Sequence, residues 1–262
     1  MSVMERHTPG DFCWAELGTS DPAGAKAFYS GLFGWTPDDL PIGEGMVYTM
    51  LKLEGLEVGA LCELNPEQRQ HGVPPHWMLY VSVESADAAA ARARELGAKV
   101  VVEPFDVFDS GRMAVLQDPQ GAYFSVWQPK QHIGARLAGQ LGTLCWSELA
   151  TTDTAAARTF YTALFGWGFK IGEGGPVQYT EWINAGKHMG GMLEMTAEWG
   201  GAPPHWMPYF LVAGCDSSAA KATDLGGNLM VPPTDIPNVG RFATVKDPQG
   251  AVFSIFQLTA AH

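Results

Sequence analysis

The pentapeptide Pro-Pro-His-Trp-Met stands twice in the chain, at 74–78 and at 203–207. Each copy opens a run that reads as a β-strand, His76–Val83 and His205–Val212. No other feature constrains the fold as strongly, because a long-range repeat means that one structural unit is used twice. Other motifs keep the same order around it. Cys13-Trp14-Ala15-Glu16-Leu17 returns as Cys145-Trp146-Ser147-Glu148-Leu149, and Phe28-Tyr29 with Leu32-Phe33-Gly34-Trp35 returns as Phe160-Tyr161 with Leu164-Phe165-Gly166-Trp167. Asp118-Pro119-Gln120-Gly121 returns as Asp247-Pro248-Gln249-Gly250. A chain of 262 residues has the length for two ordinary domains. The repeat places them at 1–129 and 141–262, with a linker at 130–140.

Within each half the apolar pattern alternates between strand and helix periods. Alternation sets Cys13, Ala15 and Leu17 on one face of the first strand and Phe12, Trp14 and Glu16 on the other. Asp21 with Pro22 predicts a capped helix that buries Phe28, Tyr29, Leu32 and Phe33 and ends at Gly34, and Asp153 to Gly166 repeats it. Strands follow at Met46–Leu53 and Glu57–Leu64, matched by Val177–Asn184 and Met189–Met195. A helix over Ser85–Leu96, matched by Ser217–Leu225, precedes strands at Lys99–Val102, Arg112–Gln117 and Ala122–Gln128. Asp-Pro-Gln-Gly between the last two suits a type I turn. Pro208, inside the second His-Trp-Met strand, predicts an edge or a bulge there.

Bulk properties narrow the function classes. The formal net charge of −12 leaves no basic stripe for phosphates, so nucleic acid is not an expected partner. No apolar run reaches membrane-spanning length and the first residues lack a signal core, so a cytoplasmic protein without a membrane partner is expected. The four cysteines form no Cys-x-x-Cys pair, which argues for reduced thiols rather than a zinc ribbon or disulfide framework.

Taken together, the strand–helix–strands order twice per half, the Asp-capped helix with FYxxLFG and the DPxG turn before a last strand resemble the vicinal oxygen chelate superfamily. That group includes glyoxalase I, extradiol dioxygenases, and fosfomycin- and bleomycin-resistance proteins. The tandem CWxEL, FYxxLFGW, PPHW and DPQG set is similar, more narrowly, to an actinobacterial group described as antigens or hydroxylases, with relatives in aromatic polyketide antibiotic clusters. The resemblance implies an α+β fold of two tandem glyoxalase-like domains. Each would be a pair of βαβββ units curled into an incomplete barrel, a cup whose concave face holds the ligand. It also implies where metal-using members would carry ligands: Trp14, Glu63, Ser125 and either His76 or Met78, with Trp146, Glu194, Ser254 and His205 or Met207 in the second half. Indole and thioether side chains do not suit a hard cation, and a catalytic site needs three protein ligands beside its open position. No cofactor is therefore expected; were a divalent metal held, Glu16, Glu63 and His76 would be its ligands. No flavin, haem or iron motif supports the hydroxylase label.

Strand parity lines the first cup with Trp14, Glu16, Tyr48, His76, Met78, Tyr80, Tyr123, Ser125 and Trp127, with Phe12 beside them. The second cup receives Trp146, Glu148, Tyr179, His205, Met207, Tyr209, Ser254 and Phe256. An aromatic pocket with few polar groups suits a small molecule, and aromatic faces stack on planar or cationic ligands. The expected partner is a small aromatic molecule, and a carboxylate in each cup favours a cationic group such as an amino sugar. The competing reading is an enzyme of secondary metabolism. There His76, Glu16, His205 and Glu148 would supply acid–base groups, and Tyr48 and Tyr179 would donate to a developing oxyanion. A metal-dependent lyase or dioxygenase ranks after both. Each residue also has a structural role open to it: the tryptophans as core, the histidines bonding a backbone carbonyl, and the glutamates paired with Arg112 and Arg241. The sequence leaves monomer or homodimer open.

Overall fold

A computed structural model describes residues 3–43, 45–172 and 178–259. The first half runs β1 (Phe12–Thr19), α1 (Pro22–Phe33), β2 (Thr36–Gly43), β3 (Met46–Leu53), β4 (Leu56–Glu63), α2 (Pro66–Gln70), β5 (His76–Ser82), α3 (Ala86–Glu95), β6 (Lys99–Val107), β7 (Gly111–Gln117) and β8 (Tyr123–Pro129). The second runs β9 (Leu144–Thr151), α4 (Thr154–Phe165), β10 (Gly168–Ile171), β11 (Tyr179–Asn184), β12 (Lys187–Glu194), β13 (His205–Leu211), α5 (Cys215–Asp224), β14 (Asn228–Ile236), β15 (Gly240–Lys246) and β16 (Val252–Leu258). The expected start of the β11 strand at Val177 lies outside the described residues.

Each half is one eight-stranded sheet, ordered β2-β3-β4-β1-β5-β8-β7-β6 and β10-β11-β12-β9-β13-β16-β15-β14. Two βαβββ units meet at the antiparallel pair β1–β5, or β9–β13, with a parallel pair on either side. The four longer helices form near their expected places, with α5 beginning at Cys215 rather than Ser217, and the short α2 was not expected. Asp21 accepts from the Gly24 amide at 3.0 Å, and Gly34 closes α1 in the left-handed region at φ +76°. The alternation pattern did not read β2 or β10. Thr36–Gly43 carries two prolines and two aspartates on an edge strand, where a missing N–H is tolerated and charge blocks further pairing. Pro208 sits not on an edge but on the central strand β13, beside Ser147 of β9. Pairing with β16 begins only at Tyr209, so no neighbour there asks Pro208 for an N–H. The bulge nearby is common to both halves and is not the proline's doing.

The two halves share one buried core, and the repeated motifs build it. Trp77 Nε1 donates to the Tyr29 hydroxyl at 3.1 Å, and Tyr29 donates across the interface to Asp247 Oδ2 at 2.9 Å. The mirror relay runs from Trp206 to Tyr161 to Asp118, both steps 2.9 Å. The other oxygen of each aspartate accepts three backbone amides of its own DPQG turn. Trp35 and Trp167 each donate across the boundary, to the Gly142 and Gly10 carbonyls. FYxxLFGW, PPHW and DPQG are thus one interlocking contact, made twice. Phe12 belongs to it too. A register shift between Phe12 and Trp14 turns Phe12 out of the cup and onto the rings of Trp167 and Trp206, at 5.5 and 5.0 Å.

Candidate functional site: two cups with a carboxyl floor

The register across five strands brings the first cup's residues to one concave face. Glu16 lies between Ala60 and Met78, Gly18 between Cys62 and His76, and Tyr48 beside Cys62. Trp14 lies beside Tyr80, and Tyr80 beside Ser125. A satellite cluster of Trp14, Tyr80 and Trp127, with Tyr48, Met50, Met78 and Met113 against it, forms the walls. Tyr123 stands 48% exposed and apart from that cluster.

Glu16 is the centre. Tyr48 donates to its Oε2 at 2.6 Å and Tyr80 to its Oε1 at 3.1 Å, while the Cys62 thiol lies 3.9 Å from Oε1. Trp14 Nε1 donates to the Tyr48 hydroxyl at 3.2 Å. An indole nitrogen can only donate, so Tyr48 must spend its own proton on Glu16, and the direction of the whole chain is fixed. The second cup repeats the constellation: Tyr179 to Glu148 Oε2 at 2.8 Å, Tyr209 to Oε1 at 2.7 Å, and Trp146 to Tyr179 at 2.8 Å. Burial pushes both glutamate pKa values above the ordinary carboxyl range, against the pull of the tyrosine hydrogen bonds. His76 also pulls Glu16 down. Burial, reinforced by the neighbouring carboxylate, drives the four tyrosines well up, so they stay protonated donors. Each glutamate, taken as a whole residue, is only partly buried.

Arg112 and Arg241 do not neutralise these carboxyls. Arg112 clasps Asp87 with two bonds of 2.7 and 2.9 Å and also reaches Asp106, and Arg241 clasps Asp216 and reaches Asp235. Both arginines hold a helix, α3 or α5, to the outer hairpin of its sheet. The guanidinium fork found nearer, more exposed carboxylates. His76 and His205 do bond backbone carbonyls: Nδ1 donates to Pro74 O at 2.9 Å and to Pro203 O at 2.8 Å. That pins each ring. The His76 ring lies over Gly18, where a Cβ would come within 3.3 Å of Cε1.

The donor set does not fit a metal of the kind the resemblance implies. Trp14 has only its N–H, already donated, and both oxygens of Glu16 are held by tyrosines. Glu63 is exposed on the end of β4 and ion-paired with Arg69. Among the described residues no group of three or more His, Cys, Asp or Glu is placed to hold an ion. Sequence reasoning missed Met50, Cys62 and Met113, whose apolar character reads as ordinary core, and it missed the linker residue His132, described below.

Two sheets built from paired βαβββ units, each curled around a polar floor with aromatic walls, define a tandem-cup α+β protein. Comparison agrees: a family model described as "Glyoxalase/Bleomycin resistance protein/Dioxygenase superfamily" matches residues 12–126 and again 141–255. The chain belongs to that superfamily. It is 41% identical over 259 residues to "Putative glyoxylase CFP32" of Mycobacterium tuberculosis, covering 98% of each chain. It is 36% identical over 270 residues to "Anthracycline biosynthesis protein DnrV" of Streptomyces peucetius, covering 97% of this chain and 96% of that one. Among solved structures, the Mn(II)-bound glyoxalase from Novosphingobium aromaticivorans superposes with a TM-score of 0.65 at 18% identity, over 95% of this chain and 82% of that one. A 4-hydroxymandelate synthase mutant from Streptomyces coelicolor gives 0.64 at 16%, over 98% and 94%. At these identities the structural likeness is one of fold.

Proposed function

We propose that this protein binds a small planar aromatic molecule carrying a protonated amine. The observation that carries the reading is the pair of enclosed carboxyls, Glu16 and Glu148, held by two tyrosine hydroxyls each while Arg112 and Arg241 are committed elsewhere. A carboxylate kept from water without a cation is costly, and a ligand ammonium lowers that cost while the indole and phenol walls take its ring. The kinship with anthracycline biosynthesis proteins supports an aromatic polyketide with an amino sugar as the ligand class. The donor mismatch described above supports binding without a metal. The test is titration of an amino-sugar anthracycline against tryptophan fluorescence, beside the same aglycone without the amine. The amine should tighten binding by about tenfold, the value of one well-placed charged hydrogen bond. No saturable response to either compound sinks the proposal.

A second reading rests on the same floor. A carboxyl of raised pKa, flanked by protonated tyrosines, is a competent general acid or base for an enolisable or phenolic ligand. It predicts exchange of an acidic ligand proton in deuterated water, lost in Glu148→Gln. Binding without any such exchange leaves the carrier reading alone.

A further inference from the structure

The two cups have the same frame but differ in what lies across them. After β8 the chain doubles back as a strap, residues 131–136. Trp127 Nε1 donates to the His132 carbonyl at 2.9 Å, and the His132 ring stands edge-on to Trp14, centroids 4.8 Å apart at 86°. The Ala135 amide donates to Cys13 O and the Arg136 amide to Glu57 O, each at 2.8 Å. Gly134, at φ +101°, lies so close to β1 that a Cβ would meet Cys13 O at 2.4 Å. From outside, His7 Nε2 donates to Ala135 O at 2.8 Å, and Met4 and Arg136 exchange two bonds. The result is a first cup whose aromatic wall is taken: Trp14 is 4% and Trp127 7% exposed. In the second cup Trp146 and Phe256 are both partly open, and Phe256 has no N–H with which to anchor a strap. Among the described residues no ring stands against Trp146 as the His132 ring stands against Trp14.

We infer that the strap is a built-in occupant of the first cup, with His132 filling the place an aromatic ligand would take against Trp14, and that the second cup is the one that receives the ligand. The second half of this statement rests on the proposed function; the first does not. Trp127 against Phe256 is the residue pair that decides it. The Trp127 indole N–H holds the strap's His132 carbonyl, and the phenylalanine at 256 has no donor to do the same. The second cup also carries Phe242 where the first has Met113, which adds a further ring at 6.3 Å from Tyr209.

The experiment is tryptophan footprinting of the intact protein. Limited oxidation with N-bromosuccinimide, read by peptide mass spectrometry, should modify Trp146 several-fold faster than Trp14. Equal rates, or a faster Trp14, overturn the inference. Trp127→Phe should free the strap and raise the Trp14 rate toward that of Trp146, with circular dichroism and thermal melting confirming the fold. If that variant does not fold, Gly134→Ala, which pushes the strap off Cys13, provides the same readout. An amino-sugar anthracycline, used as the probe, should protect Trp146 and not Trp14, and protection of Trp14 in the wild-type protein overturns the inference. Absence of any saturable anthracycline binding removes the proposed function alone, while the oxidation pattern still decides whether the strap fills the first cup.

Discussion

Glu16 and Glu148 titrate in surroundings that disfavour their charge, and that has a sign. Their folded pKa values lie above the unfolded carboxyl value of about 4.3, so in that window the folded state binds more protons than the unfolded one. Stability therefore falls as pH rises from the unfolded value through the raised folded value. Above it the penalty is complete. Asp118 and Asp247, raised by burial, act in the same direction, whereas Asp39, Asp87, Asp106 and Asp216 are lowered, exposed and screened. A Glu16→Gln/Glu148→Gln double variant should lose part of the decline in melting temperature as pH rises above the ordinary carboxyl value of about 4.3. Calorimetric melts across that range check it, and an unchanged slope contradicts it. The same residues couple binding to protons. A cationic ligand stabilises the carboxylate, so calorimetry in buffers of different ionisation enthalpy should show proton release on binding that disappears in Glu148→Gln. At the interface, Tyr29→Phe strands the Trp77 N–H and an Asp247 oxygen together. Denaturant unfolding should report a loss of roughly 2 to 6 kcal/mol, since each of the two unpaired buried polar groups costs about 1 to 3 kcal/mol.

Strands position these groups, and small residues let them approach. At Gly191 a Cβ would fall 1.9 Å from the Tyr179 hydroxyl, whereas the matching position on β4 is Ala60. Gly191→Ala should therefore move the Tyr179 ring, and because Tyr48 keeps its bonds to Glu16 and Trp14 beside Ala60, Tyr179 should settle into that placement. The expected readout is a shift of Trp146 emission with little change in the first cup. Much of the element plan was legible: Asp21, Pro22 and Gly34 bracket α1, and period-two alternation carries β1, β3 and β4. The misses have physical causes. β2 lacks an apolar alternation because an edge strand is solvated on both faces. β6 extends to Val107 through two register shifts that no alternation can cross. The cup assignments of Trp14, Glu16, Tyr48, Tyr80 and their repeats follow from parity, and parity failed at Phe12 because one bulged residue reverses every face beyond it.

The two halves share one buried cluster and should unfold as one cooperative body. Tyr29 reaches Asp247, Tyr161 reaches Asp118, and the buried cluster runs through both sheets without a break. Heating should give a single transition whose calorimetric and van't Hoff enthalpies agree. Two resolved transitions would show the halves to be independent. No described helix is long and apolar enough to cross a membrane. The exposed apolar residues at the sheet edges, such as Val101, Phe105 and Phe108 near β6 and Leu229 and Met230 on β14, are scattered along strands rather than gathered under one covering element.

By itself the sequence determined the duplication, the α+β class and the shared face of Trp14, Glu16, Tyr48 and Tyr80, because periodicity and repeated motifs are local properties that survive in one dimension. Tertiary structure alone decided which partners those residues take. It gave Arg112 and Arg241 to the aspartates of α3, α5 and the outer hairpins. It joined FYxxLFGW to the opposite half's DPQG, and it laid the linker across one cup and not the other. Those choices depend on distances between residues far apart in the chain, and only the closed fold sets such distances.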